Sequence, residues 1–103
     1  MSRTWSLAAT VALPLLFPPL AASAATIGVV APTSGPYALL GAQVIAGARA
    51  AAEATGDTLV EIGEDCEADA PAAGVAQRLV EADADAAIGF LCGETLTGAL
   101  PQL

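Results

Sequence analysis

Ile27-Gly28-Val29-Val30-Ala31-Pro32-Thr33-Ser34-Gly35-Pro36-Tyr37 is the stretch whose reading decides the fold. Its first five residues form an uninterrupted apolar run, the pattern of a strand covered on both faces in a parallel sheet. The next five are dense in proline, glycine and hydroxyl residues, which end a strand in a turn. Beyond the turn, Leu39–Ala54 holds no proline, and Leu40, Val44, Ala48 and Ala51 recur on one helical face. Gly41, Ala42, Gly47 and Ala50 keep much of the remaining helix surface small, which permits close approach to a sheet. Gly56 supplies a helix stop.

The same alternation continues outward. Thr58–Ile62 predicts a second strand, interrupted by Glu61, and the acidic stretch Glu64–Asp69 predicts a solvated loop. Asp69 is suited to cap a second helix, with Pro71 tolerated in its first turn. Ala72, Val75, Ala76, Leu79 and Val80 form the apolar stripe of that helix, which reaches about Ala82. Asp85–Leu91 predicts a third strand centred on Ala86–Phe90, and a third helix begins after Gly93 and stops near Pro101. The order is βαβαβ(α), with strand starts roughly thirty residues apart, the length of a crossover unit. The fold class that follows is α/β, a Rossmann-like parallel sheet.

Right-handed crossovers leave the strand orders 2-1-3 and 3-2-1. In the 2-1-3 order the first and third strands are neighbours whose following helices lie on opposite faces. Ligands bind beyond the carboxyl ends of strands at such a switch point. Two loops would line the crevice, Pro32–Tyr37 and Leu91–Thr95.

Toward the N-terminus the pattern changes. Arg3 gives a weakly positive start, Leu7–Leu20 is uncharged and mostly apolar, and Ala22-Ser23-Ala24 has the small-x-small form that signal peptidase reads. The apolar run is shorter than the roughly 20 residues of a membrane span. Pro14, Pro18 and Pro19 also break it. Residues 1–24 are therefore read as a signal peptide cleaved after Ala24, with Ala25 the runner-up, and residues 25–103 as the mature chain. The implied location is periplasmic, with no membrane insertion after cleavage. No cysteine near the cleavage site supports a lipid anchor.

Composition narrows the chemistry. The net charge of -8 leaves no basic surface for nucleic acid or anionic lipid. The chain has no histidine, so Ser-His and Cys-His nucleophile pairs and His-ligated zinc are excluded. An apolar content of 55% argues against disorder. No cofactor is expected. Cys66 and Cys92 form an even pair in an exported chain, so a disulfide is the first expectation. Free thiols or a metal pair beside Asp65, Glu67 and Asp69 are the competing readings. The metal pair is the poorer one, lacking CxxC and histidine, and a calcium site in Glu64–Asp69 is poorer still.

Several elements in order carry a resemblance. Ile27-Gly28-Val29-Val30 runs into Thr33-Ser34-Gly35-Pro36-Tyr37, then Leu40-Gly41 and Gly47-Ala48. Glu64-Asp65-Cys66, Val75–Val80 and Ile88-Gly89-Phe90-Leu91-Cys92 follow. Together they resemble the opening of the periplasmic leucine/isoleucine/valine-binding proteins, the type I solute-binding components of ABC transporters. The similarity covers Ile27–Leu103.

The resemblance implies a partial N-terminal lobe of a two-lobed protein that closes on an amino acid or related solute and delivers it to ABC permease subunits. It also implies a Cys66–Cys92 disulfide. In that family the segment after the third strand grips the solute's α-carboxylate and α-ammonium with backbone groups and a hydroxyl residue. The matching position here holds Gly93, with Thr95 two residues on, and Leu40 stands where the family has an aromatic wall. Tyr37 lies close enough in sequence to supply an aromatic face.

The candidate ligand-binding residues are thus Tyr37, Leu40, Leu91, Gly93, Glu94 and Thr95, with no catalytic and no metal-binding residue. Ser34-Gly35-Pro36 is read as shaping its turn. A sensory lobe without a transport role is the alternative function. A small α/β enzyme ranks last, because G-x-G-x-x-G, lysine and histidine are all missing. Without a second lobe, residues 25–103 are expected to bind solute weakly, and the third strand to present an open sheet edge.

Overall fold

The computed structural model describes residues 24–66 and 72–103. Residues 1–23, which hold nearly all of the expected signal peptide, and residues 67–71, which hold Glu67, Asp69 and Pro71, lie outside the described part. The elements are β1 (Thr26–Pro32), α1 (Ala38–Thr55), β2 (Thr58–Glu64), α2 (Ala72–Glu81), β3 (Ala86–Gly89) and α3 (Gly93–Ala99). A 3-10 turn over Leu100–Gln102, with Pro101 in it, follows α3. The fold is α/β, with three parallel strands in the order β2-β1-β3. Of the two orders left open by handedness, this is the one with the switch point between β1 and β3.

Alternate residues of a strand point to opposite faces, and β1 uses both. Val29 and Ala31 pack with Ile45 and Ala48 of α1, joined by Val44 and Leu59. Val30 packs on the other face with Ile62, Val75 and Leu79, joined by Val60, Ala84 and Phe90. Val29, Val30 and Ile62 are fully buried. Each such side chain contributes about 1.5–3 kcal/mol by leaving water. The unbroken apolar run in β1 thus has its cause in helices on both sides of the sheet.

Four details differ from the sequence expectation. The buried stripe of α1 is Gly41, Ile45, Ala48 and Ala52, so Leu40 and Ala51 turn outward. Gly41 sets this rotation: a Cβ there would overlap the Pro32 carbonyl oxygen, so only glycine lets the helix sit against the end of β1. β2 runs on through Gly63 and Glu64, which pair with Ala31 and Pro32. In α2, Val80 is exposed, while Val75, Ala76 and Leu79 face the sheet.

The fourth difference lies in β3, which stops at Gly89 where an extended run to Leu91 was expected. Gly89 (φ 99°) and Phe90 (φ 57°) turn the backbone into the left-handed region while the Phe90 amide donates to Val30 O at 2.7 Å. All four β3 residues are exposed, as expected of a strand at an open edge. Among the described residues no helix is long and apolar enough to cross a membrane.

Candidate functional site

Two loops meet beyond the carboxyl ends of β1 and β3. The first is set by the turn after β1, where the Ala38 amide donates to Gly35 O and the Gly41 amide to Tyr37 O. Ser34, Gly35 and Pro36 are exposed within it. This turn presents Tyr37 and Leu40, each about half exposed (49% and 51%). The second loop begins at Phe90. A bulky side chain at positive φ is a strained arrangement, and here it redirects Leu91 and Cys92 toward the first loop. Between the loops lies a cleft of about 470 Å³. Tyr37 and Leu40 form one wall, and Leu91, Cys92, Gly93 and Glu94 the other, with Cys66 beside them.

Two devices hold the second loop in place. One is the Cys66–Cys92 disulfide, with Cα atoms 5.2 Å apart. The other is Glu64, whose Oε1 accepts hydrogen bonds from the Leu91 amide at 2.7 Å and the Cys92 amide at 3.3 Å. Glu64 is only 5% exposed, and its Oε2 has no hydrogen-bond partner among the described residues. Glu64 was expected in a solvated loop, and the structure corrects that reading. The signal was present in the sequence: Val60, Ile62 and Glu64 share one strand face by their period of two, and that face is the buried one. Glu64, Cys66 and Cys92 also bring one ligand atom each within 4.8 Å of one another, the one such group of acid and thiol side chains found among the described residues.

No protein-family model, no curated protein and no solved structure matches the chain. The character of the cleft therefore rests on its own residues. Five of the six ligand-binding candidates line it: Tyr37, Leu40, Leu91, Gly93 and Glu94. Thr95 does not. It is 6% exposed, its amide donates to Cys92 O at 3.1 Å, and with Ala99 it makes the inner face of α3. Residues four apart share one side of a helix, so Thr95 packs inward as Ala99 does.

A larger hollow of about 630 Å³ runs along the other end of β3, lined by Leu79, Val80, Leu103 and Asp83–Ala87. One of its two carboxylates is already engaged, since Asp85 accepts the Thr26 amide. It lies at the amino end of its strand, away from the switch point, and the candidates converge instead on the smaller cleft.

The groups with altered acidity lie outside the cleft. Two hydrogen bonds from the Arg49 guanidinium hold the Glu61 carboxyl below its usual range. The Ala25 amide, and then the Thr55 hydroxyl, do the same for Asp57.

Proposed function

We propose that the chain is the solute-gripping part of an ABC transporter's substrate-binding protein, taking branched-chain amino acids or related small solutes in the β1/β3 cleft. The observation that carries this reading is the convergence of Tyr37 and Leu40 with Leu91, Gly93 and Glu94 around one space. Its volume, about 470 Å³, falls in the range of small-molecule sites. Leu40, Leu91 and the Tyr37 ring suit an aliphatic side chain. The Glu94 carboxylate suits an ammonium. Thr95 has a positioning part in this reading, from the inner side of the gripping loop.

The resemblance to leucine/isoleucine/valine-binding proteins supports the same solute class, an exported periplasmic chain and delivery to permease subunits. The reading assigns binding without catalysis and without a cofactor.

Equilibrium dialysis against radiolabelled leucine, isoleucine, valine and their amides tests it. Weak, saturable retention of at least one of these is expected. A Cβ at Gly93 meets no atom within 4 Å, so Gly93→Val should fold normally yet narrow the cleft and weaken retention. Retention of none of these solutes, or equal retention by Gly93→Val, would overturn the assignment.

A further inference from the structure

The disulfide and the buried carboxylate beneath the cleft have a second chemistry in common. Glu64 is 95% removed from solvent, and one of its two oxygens has no partner among the described residues. A buried oxygen left so loses its hydration with nothing gained in exchange. The other oxygen is fixed by the Leu91 and Cys92 amides, which aim the carboxylate. Metal-binding carboxylates are held by outer hydrogen bonds in this way. The Cys66 and Cys92 sulfurs lie within 4.8 Å of it.

We infer that, once the Cys66–Cys92 bond is reduced, the Glu64 carboxylate, Cys66 Sγ and Cys92 Sγ form a three-ligand site for a thiophilic divalent cation, Zn²⁺ above all. Water from the cleft fills the fourth position. The site and the disulfide exclude one another, because the oxidised pair offers no thiolate.

The chemistry balances with a dithiol as reductant. The dithiol supplies two electrons and two protons, the S–S bond breaks into two thiols, and the dithiol closes to its own disulfide. Binding of the cation then releases the two thiol protons to solvent. Zinc–sulfur bonds of about 2.3 Å at a tetrahedral angle place the two sulfurs about 3.8 Å apart. Cα atoms 5.2 Å apart allow that separation by side-chain rotation alone. Two thiolates and one carboxylate overbalance the cation by a single negative charge. The acid–thiolate donor set favours zinc over magnesium or calcium, which take oxygen ligands.

The test uses the chain reduced with a dithiol, desalted under nitrogen and titrated with Co²⁺ as the visible probe, no amino acid being present. A thiolate-to-cobalt charge-transfer band is expected, saturating at one equivalent, displaced by Zn²⁺ and absent from the oxidised chain. Cys92→Ser should lose it, and Glu64→Gln should weaken binding by at least about tenfold, as loss of a ligand exceeds loss of an outer-shell partner. A measurement on the unaltered chain stands beside the variants: Zn²⁺ should raise the melting temperature of the reduced form only. No band from the reduced chain, equal binding by the oxidised chain, an affinity indifferent to Glu64→Gln in a folded variant, or no Zn²⁺-dependent rise would each overturn the site.

Discussion

The two sides of β1 are held by different forces. Toward β2 and the helices, the chain is secured by packing: Val29, Val30, Ile62 and Leu79 sit in two clusters on opposite faces of the sheet. Toward β3, packing gives out. All four β3 residues are exposed, and the loop that follows is tied down by a disulfide and by one buried carboxylate. The packed side is the scaffold, and the tied side carries the candidate site. Loops on a rigid scaffold are where binding residues concentrate. A loop held by a few discrete ties can also be released by breaking one of them, whereas a packed strand cannot.

Two isoleucines expose the contrast most strongly. Ile62→Ala should destabilise by about 2–5 kcal/mol, the range for truncating a large aliphatic side chain in a core. Ile88→Ala, on the exposed strand, should stay within about 0.5 kcal/mol. Urea unfolding of both variants measures the difference, and equal losses would remove the distinction between the two sides.

Breaking the covalent tie comes next. Reduction of Cys66–Cys92 should lower stability by about 3–4 kcal/mol in the chain-entropy account of a loop this long. Thermal melts with and without reductant, in the absence of metal, read it directly. Glu64→Ala, which leaves the Leu91 and Cys92 amides without their acceptor, should cost about 1–3 kcal/mol. Hydrogen exchange should place the loosening in the 90–94 loop, with β1 and β2 still protected.

The smallest effect belongs to acid. Asp57 and Glu61 titrate below their usual range in the folded chain because each is hydrogen-bonded. The stability they add is complete above the ordinary carboxylate pKa of about 4 and is lost as pH falls through the lower folded values. Glu61 is exposed and Asp57 only half-buried at the surface, so a modest decline below about pH 4 is expected, flattened by Asp57→Asn. Cleavage after Ala24 would turn the Ala25 amide at Asp57 into an ammonium and strengthen this contact; cleavage after Ala25 would remove it. Urea melts across the acid range on chains of each length distinguish the two.

Much of the scaffold was legible because it leaves its mark within short stretches of sequence. The apolar run of β1, the turn after Pro32 and the glycine at position 56 each act through their own backbone or pattern. The rotation of α1 was not legible, because it follows from one glycine meeting the carbonyl of Pro32 across the fold. Periodicity placed Leu40, Val44, Ala48 and Ala51 on one face and left Ile45, a buried core residue, out. In the site, Tyr37, Leu91, Gly93 and Glu94 lie in the two loops that strand order brings together, whereas Leu40 was nominated only by the family resemblance. Glu64 was hidden by its neighbours: an acid followed by Asp65 and Glu67 reads as a solvated loop until the strand is seen to continue through it. Thr95 does not line the cleft, because its side chain lies with Ala99 on the inner face of α3, which the sequence of that short helix did not reveal.

The central claim is that solute binds at the β1/β3 switch point and not in the larger hollow beside β3. Amide chemical shifts of the isotopically labelled chain, followed as leucine and then its amide are added, test this most directly. The account predicts saturable shifts at Tyr37, Leu91, Gly93 and Glu94, with Asp83–Ala87 unmoved. Shifts centred on Asp83–Ala87, or none in the cleft with either solute, would contradict it.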